Sequence, residues 1–320
     1  MVSEEIVKKF VAQIKDKHSK INELIIEKDF YLTLLLNEIS KNIEENKESL
    51  FSKLIFKGGT LLTRTHLNYH RISEDLDFTY LENGKLNKFS SKQRKKAISN
   101  FTDSLVQELN KIAKKFGLDF SPDKSDKKYC RVMDRKKVYS FKIHYKPVYG
   151  SKEFIKFEVN FNDELIYPYL FENIAHLFDA ELIKDLEFIE NIKINIKRNI
   201  PCYDLKEIAV EKIRAILTRQ VIKERDLLDL FLISKKINLK NLENKKILDS
   251  ESFIRGLLAK IQGNLETLEK GEKSIIEEKS KLALIEIKDE EYFDFEKMII
   301  PLIIKIGKQS SLKIVSSQQK

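Results

Sequence analysis

Apolar residues recur at helical spacing in the first part of the chain and again after residue 200. The early pattern predicts two amphipathic helices, over residues 4–15 and 29–45. A third helix is predicted over residues 90–116, with a serine as its cap and Gly117 at its end. After Pro201 every clear pattern is helical. The sequence therefore predicts helices that cover a sheet, followed by a purely helical region.

Short apolar runs and alternating patterns predict strands only within the first 200 residues. The predicted strands are residues 54–56, 71–79, 139–145, 157–161 and 189–196. Gly150 lies in the connection of a hairpin between the third and fourth of these, and a further helix is predicted over residues 172–187. We therefore predict an α+β chain. Its first domain, residues 1–200, has a mixed sheet flanked by helices, and residues 201–320 form a helical bundle domain.

Composition agrees with a folded, helix-rich protein. Charged residues make up 34% of the 320 residues and apolar residues 42%. The two cysteines are isolated, so a reducing cytoplasm is expected rather than a disulfide framework. The start of the chain does not resemble a signal peptide, and the longest apolar run, residues 298–304, is too short to cross a bilayer. No membrane partner is therefore expected.

The net charge of +9 is concentrated in one segment. Residues 88–142 contain sixteen Lys or Arg and six Asp or Glu, a surplus of ten, so the rest of the chain sums to minus one. A concentrated basic segment fits a polyanionic partner such as RNA. The alternative is an ordinary lysine-rich surface.

Two short motifs between residues 54 and 80 carry the candidate chemistry. The pair Gly58-Gly59 separates a predicted strand from a helix start, where backbone N–H groups of the turn can bind a phosphate. In the next predicted strand Asp75 and Asp77 share one face, because residues two apart on a strand point the same way. Neighbouring carboxylates repel each other unless a cation lies between them, and Mg²⁺ prefers carboxylates, water and phosphate oxygens. The two motifs together predict a metal and nucleotide site that carries out phosphoryl chemistry.

The string Lys57-Gly-Gly-Thr60, followed by Arg71-Ile-Ser-Glu-Asp-Leu-Asp77, resembles the first motif of the AbiEii/AbiGii toxin-type nucleotidyltransferases, within the DNA polymerase β-like superfamily. Either half alone is common in turns and solvated loops, but both halves in this order are specific. The resemblance implies a polymerase β-like nucleotidyltransferase domain with Mg²⁺ or Mn²⁺ as cofactor and an NTP as substrate. It implies that the catalytic residues Asp75 and Asp77 hold the metal. The nucleotide-binding residues implied are Lys57, Gly58, Gly59, Thr60, Arg71 and Ser73.

The same resemblance makes Glu158 a candidate third metal ligand. Superfamily members commonly carry a third carboxylate on a strand next to the Asp-x-Asp strand, and Glu158 alternates with the apolar residues of a predicted strand. The alternative is that Glu158 faces water on an antiparallel strand. Lys142 and Lys156 are similarly placed charges that face either phosphate or water.

Lys212 and Asp226, which follow the predicted domain boundary, complete the candidate site. Lys212 lies in the apolar arc of a helix that Asp204 is predicted to cap, so its ammonium must snorkel, find an anion or face a cavity. The string Glu207-Ile-Ala-Val-Glu-Lys-Ile-Arg-Ala215 is similar to the family's lysine-bearing helix, which implies a catalytic Lys212 that holds phosphates. We then expect Lys212→Ala to lower turnover far more than stability.

The string Arg225-Asp226-x-x-Asp229-Leu resembles the last family motif and implies a catalytic Asp226. Asp226 would pair with Lys212 or act on the acceptor. The alternative is an acidic first turn that stabilises a helix N-terminus.

By this resemblance the chain moves a nucleotide from an NTP to an acceptor, and the basic segment favours RNA such as tRNA. It would act as a toxin in a toxin–antitoxin or phage-defence pair, with a separately encoded antitoxin protein as partner. A protein-modifying nucleotidyltransferase or kinase-like enzyme would use the same site. A non-catalytic nucleotide-binding protein would keep the site in a degenerate form.

Overall fold

A computed structural model describes residues 2–133, 137–195, 199–242, 258–270, 284–285 and 288–318, with the side chains of the last helix up to residue 309. The chain forms two compact units, Met1–Tyr203 and Asp204–Lys320. The predicted boundary at residue 200 lies inside a strand, Asn199–Cys202, that pairs within the sheet of the first unit.

A seven-stranded mixed sheet forms the centre of the first unit. Its strands are β1 (Leu54–Lys57), β2 (Asp75–Tyr80), β3 (Cys130–Met133), β4 (Val138–Tyr145), β5 (Glu153–Asn160), β6 (Leu170–Asn173) and β7 (Asn199–Cys202). Their order across the sheet is β3-β4-β5-β2-β1-β7-β6. The pairs β1–β7 and β2–β5 are parallel, and the other four pairs are antiparallel. The predicted α+β class with a mixed sheet is confirmed.

Among the described residues of the first unit, six α-helices accompany this sheet, together with a 3-10 helix, Leu50–Lys53. They are α1 (Glu4–Lys17), α2 (Glu23–Glu45), α3 (Gly58–Leu61), α4 (Asn83–Leu86), α5 (Ser91–Phe116) and α6 (Ala180–Phe188). A single π-helical turn, Leu62–His66, continues α3. Ser90 and Gln93 form a capping box at the start of α5, and Gly117 ends this helix with a φ of 70°. These signals explain why the predicted and observed bounds of α5 nearly coincide.

Two predicted elements near the end of the first unit are wrong. Residues 170–173 form strand β6 where a helix was predicted to begin, and the helix of this region is the shorter α6. Residues 189–195 do not form a strand. Asn191 adopts a φ of 54°, and the N–H of Ile192 donates to the carbonyl of Leu186 in α6. Residues 189–195 therefore stay beside the end of α6, and residue 196 of the predicted strand lies outside the described residues.

The two faces of the sheet differ in polarity. The rings of Phe56, Phe78 and Phe157 lie in a row on the buried face, with centroids 5.2 Å and 4.7 Å apart. Because side chains alternate along a strand, the residues before and after each of these phenylalanines point to the opposite face of the sheet. That opposite face carries Lys57, Asp75, Asp77, Lys156 and Glu158. The three packed phenylalanine rings thus lie on the face of the sheet opposite the polar residues.

The second unit is helical in its described part. Its helices are α7 (Leu205–Thr218), α8 (Glu224–Ser234), α9 (Leu258–Lys270) and α10 (Asp289–Gln318). Asp204 caps α7 through the N–H of Lys206, as predicted. The buried Asn264 of α9 donates to the carbonyls of Ile216 and Leu217, which are left unpaired at the end of α7. None of the helices in the described ranges is long and apolar enough to cross a membrane.

Candidate active site

The glycine turn after β1 brings the backbone close to the carboxylate of Asp77. Gly58 has a φ of 79°, a conformation that L residues with a side chain rarely adopt. A Cβ atom on Gly58 would lie 2.7 Å from Asp77 Oδ2. Both the backbone conformation and the lack of space therefore require glycine at residue 58.

The second glycine of the turn, Gly59, lies against the side chains of Arg71 and Ser73. A Cβ atom on Gly59 would lie 2.7 Å from Arg71 Nη2 and 3.0 Å from Ser73 Oγ. Thr60 Oγ1 is 3.0 Å from Ser73 Oγ and also hydrogen-bonds to the carbonyl oxygen of Asp75. Arg71 and Ser73 precede β2 and are not part of it, although the prediction placed them on the strand. The structure thus brings Gly59, Thr60, Arg71 and Ser73 together beside the start of β2.

Three carboxylates from two parallel strands meet at one point of the polar face. Asp77 of β2 lies directly opposite Glu158 of β5, and Asp75 lies opposite Lys156. Lys156 Nζ is 3.3 Å from Asp75 Oδ2, 3.7 Å from Asp77 Oδ1 and 3.5 Å from Glu158 Oε2. The three acidic residues of the predicted metal site are therefore close together, around a lysine ammonium.

Burial and charge shift two pKa values in this cluster. The pKa of Asp77 is raised to about 6, first by burial and then by the neighbouring carboxylates of Asp75 and Glu158, while Lys156 and Lys57 oppose the rise. Burial alone lowers the pKa of Lys156, but the three carboxylates raise it overall. Lys156 is therefore protonated at neutral pH and balances part of the negative charge.

Lys57 is held at the edge of this cluster by a residue that the sequence did not suggest. Its Nζ lies 3.2 Å from Asp163 Oδ2, and the same oxygen accepts a hydrogen bond of 2.8 Å from Asn160 Nδ2. Lys57 lies directly opposite Asp77 in the pairing of β1 with β2. Asp163 thus fixes a cation beside the carboxylates.

Lys212 and Asp226 form a buried ionic cluster in the second unit. Lys212 Nζ is 2.9 Å from Asp226 Oδ1 and 2.5 Å from Asp229 Oδ2. The other oxygen of Asp226 pairs with Arg219. Because each oxygen of Asp226 already has a cationic partner, its carboxylate is better suited to positioning than to accepting a proton. The sequence left three possibilities for the Lys212 ammonium: snorkelling, pairing with an anion or facing a cavity. The structure shows that it pairs with anions, Asp226 and Asp229.

The donor chemistry of the three carboxylates fits a divalent cation. Mg²⁺ and Mn²⁺ prefer oxygen ligands, and Asp75, Asp77 and Glu158 already surround one positive charge. Within the part of the chain that the structure describes, no three His, Cys, Asp or Glu side chains are arranged as a finished metal site. The carboxylates are here directed at the ammonium of Lys156.

Sequence reasoning missed the central position of Lys156 and the roles of Asp163 and Arg219. A signal for Lys156 was present, because it lies two residues before Glu158 and so shares its face. Its position opposite Asp75 depends on the register between β2 and β5, which no local pattern reveals.

The family model described as "Nucleotidyl transferase AbiEii toxin, Type IV TA system" matches residues 44–307 of the chain. No curated protein sequence matches it. Among solved structures, the chain is similar to MenT4, a nucleotidyltransferase toxin from Mycobacterium tuberculosis H37Rv. The TM-score is 0.48 at 13% identity, and the match covers 98% of this chain and 99% of that one. It is also similar to JHP933 from Helicobacter pylori, with a TM-score of 0.39, 16% identity and coverage of 93% and 99%.

Proposed function

Because the chain belongs to the AbiEii family of nucleotidyl transferase toxins, we propose that it transfers a nucleotide from an NTP to an RNA acceptor, with tRNA as the first candidate. The observation that carries this proposal is the convergence of Asp75, Asp77 and Glu158 on one cation beside the Gly58-Gly59 turn. Carboxylates, a cation and close backbone approach are what phosphoryl transfer requires, since positioning and charge neutralisation supply most of its catalysis.

The turn and the residues around it would bind the phosphates of the NTP. Gly59 lets Arg71 and Ser73 lie close to the backbone of the turn, so Arg71 would be near enough to neutralise a phosphate bound there. Lys57, held by Asp163, would supply a second positive charge. The full set that we assign to the nucleotide is Lys57, Gly58, Gly59, Thr60, Arg71 and Ser73.

Asp75, Asp77 and Glu158 would hold Mg²⁺ or Mn²⁺. Such an ion, when bound, neutralises the triphosphate and lowers the pKa of the attacking hydroxyl. The support is the chemistry of the donors and their convergence on a single positive charge. The ionised form of Asp77 is the one that binds a cation.

The family motifs that contain Lys212 and Asp226 support a catalytic role for both residues. We assign Lys212 to the phosphates, where its charge offsets the negative charge that develops in the transition state. Asp226 would position the acceptor rather than accept its proton, because both carboxylate oxygens are already paired with the cations Lys212 and Arg219. Asp229 is then a positioning residue for Lys212.

Cationic residues on the polar face of the sheet support an RNA acceptor. Lys142 of β4 lies directly opposite Lys156, with its Nζ 4.5 Å from the centroid of the Phe154 ring. One strand further out, Arg131 of the edge strand β3 is exposed on the same face. Arg131 and Lys142 can contact phosphates of a nucleic acid. Other lysines of the basic segment, such as Lys111 with Glu108, are neutralised in ion pairs.

A family of type IV toxin–antitoxin systems implies an antitoxin, which we propose is a separately encoded protein. We place the enzyme in the cytoplasm, because both of its cysteines, Cys130 and Cys202, are buried free thiols, as suits a reducing compartment.

Incubation with each labelled NTP, Mg²⁺ and total tRNA tests the proposal. Wild type should label RNA, and Asp77→Asn should reduce labelling at least about a hundredfold, as loss of charge stabilisation in an active site typically does. The matched control is Asp16→Asn, an exposed aspartate of α1, which should label like wild type. Equal labelling by Asp77→Asn would disprove the assigned site. Label on protein would indicate a protein-modifying enzyme, and magnesium-dependent NTP binding without turnover would indicate a binding protein.

A further inference from the structure

Lys156 occupies the point at which the three carboxylates of the site meet, but it is bound tightly to none of them. Its distances of 3.3, 3.7 and 3.5 Å to Asp75, Asp77 and Glu158 all exceed the ~2.7–2.9 Å of a good charge-assisted hydrogen bond. The ammonium is shared among three acceptors. Each single contact is therefore weak.

The buried lysine of the second unit shows the contrast. Lys212 lies 2.5 Å from Asp229, and its side chain is 10% exposed, whereas the side chain of Lys156 is 30% exposed. A lysine on a flexible four-carbon stem can move its ammonium into water when a path exists. Lys156 therefore has longer ionic contacts and a more exposed side chain than Lys212.

A divalent cation cannot share these oxygens with the ammonium. Mg²⁺ binds oxygen at ~2.0–2.1 Å and demands regular geometry, so an ion bound to the three carboxylates would take the place of Lys156 Nζ. Three carboxylates and one ammonium also leave a negative excess that attracts a stronger cation. We propose that Lys156 is a placeholder cation. It holds Asp75, Asp77 and Glu158 together in the metal-free protein and swings away when the metal binds, an inference that rests on the metal site of the proposed function.

This exchange couples metal binding to the nucleotide. When a metal ion binds alone, the displaced Lys156 is left with water as its only new partner. When the metal binds with an NTP, the triphosphate gives the ammonium a new anionic partner next to the site. Lys156 therefore weakens the binding of free metal and favours the metal that is carried by a nucleotide.

Titration of the metal-free full chain with Mn²⁺, followed by electron paramagnetic resonance of the unbound ion, tests the exchange without measuring activity. Lys156→Gln should tighten Mn²⁺ binding at least about tenfold, because it removes a unit charge ~4 Å from the carboxylates. The matched control is Lys17→Gln, which removes one positive charge at an exposed residue of α1 outside the candidate site. It should leave Mn²⁺ binding nearly unchanged. A non-hydrolysable NTP analogue should tighten Mn²⁺ binding more in wild type than in Lys156→Gln.

The proposal is overturned if Lys156→Gln binds Mn²⁺ no more tightly than wild type, or if both glutamine variants tighten it equally. Circular dichroism shows whether Lys156→Gln folds, and Lys156→Arg provides a second test. Arginine keeps the charge and can bind carboxylates with two hydrogen bonds, so this variant should bind Mn²⁺ more weakly than wild type, and equal or tighter binding contradicts the exchange.

Asp77→Asn separates this inference from the proposed function. If Asp77→Asn abolishes Mn²⁺ binding while Lys156→Gln leaves it unchanged, the metal site stands and only the placeholder role fails. If Asp77→Asn binds Mn²⁺ like wild type, the proposed metal site is wrong, and the proposed role of Lys156 as a placeholder cation is wrong as well.

Discussion

A side chain at residue 58 would meet two separate obstacles. The φ of 79° costs a non-glycine residue about 1–2 kcal/mol, and the added Cβ would lie 2.7 Å from Asp77 Oδ2. We expect Gly58→Ala to lower the free energy of unfolding by at least that amount. It should also reduce turnover, because the carboxylate of Asp77 must move away. Urea unfolding and the RNA-labelling assay measure the two effects.

Gly84→Ala is the matched control for this change. Gly84 lies in α4, its φ is not positive, and a Cβ there would have no heavy atom within 4 Å. Alanine is favoured over glycine in a helix, so Gly84→Ala should keep full turnover and wild-type or slightly higher stability. Full activity of Gly58→Ala would contradict the close contact between the turn and Asp77.

His176 gives the stability of the protein a pH dependence. Burial, and then the charge of Arg64, lowers the pKa of His176 below its ordinary value of 6.5. Between the two pKa values the unfolded chain binds more protons than the folded one, so stability is lost as pH falls below about 6.5. We expect lowering the pH from 7.5 to 5.5 to disfavour the folded state more in wild type than in His176→Gln, as read from the urea midpoint of each protein. An equal drop in both proteins would show that other groups cause the effect.

At the scale of single residues, strand periodicity was enough to place Asp75 and Asp77 on one face, because a period of two is a local property. The apolar neighbours Leu76 and Phe78 are buried, as the same period requires. The partner of these carboxylates could not be predicted in this way. Lys156 reaches Asp75 only through the pairing of β2 with β5, two strands that are far apart in sequence.

At the scale of elements, α7 and α8 are joined by the buried ion pairs of Lys212. The expectation that loss of this lysine affects turnover far more than stability needs revision, because its removal would leave Asp226 and Asp229 fully buried without their shared cation. Removing one partner of a buried pair costs about 3–5 kcal/mol. We therefore expect Lys212→Met to lower both turnover and the free energy of unfolding, as measured by RNA labelling and urea unfolding.

A second substitution separates the two effects. Adding Asp229→Asn to Lys212→Met removes a buried negative charge that has lost its ammonium partner, so it should restore part of the stability but none of the turnover. Lys260→Met, at an exposed residue of α9, is the control and should change neither quantity. Recovery of turnover together with stability would return Lys212 to a purely structural role.

The accuracy of the predicted elements followed the strength of their local signals. The helix α5 was predicted almost to the residue because its cap, its apolar period and its terminal glycine agree. The strands β6 and β7 were missed because both are short, and Pro201 suggested a break, although it pairs with Phe171 at the edge of the sheet. Short strands depend on their neighbours in the sheet more than on their own sequence.

At the scale of the whole molecule, the surplus of positive charge acts only where it is not neutralised. Lys111 and Lys115 of α5 belong to the basic segment but pair with Glu108 and Glu38. Arg131 and Lys142 lie on the same sheet face as the carboxylates. The position of the cations, and not the net charge of +9, should therefore decide where RNA binds.

The salt dependence of RNA binding tests this distinction. Each phosphate contact with a single strand contributes about −0.7 to the slope of log K against log salt concentration. Arg131→Ala with Lys142→Ala should therefore make the slope shallower by about 1.4 and weaken RNA binding. Lys111→Ala with Lys115→Ala removes the same net charge and should leave the slope near that of wild type. The measurement is RNA binding at several salt concentrations, and equal slopes in the two double variants would mean that total charge, not the polar face of the sheet, attracts the RNA.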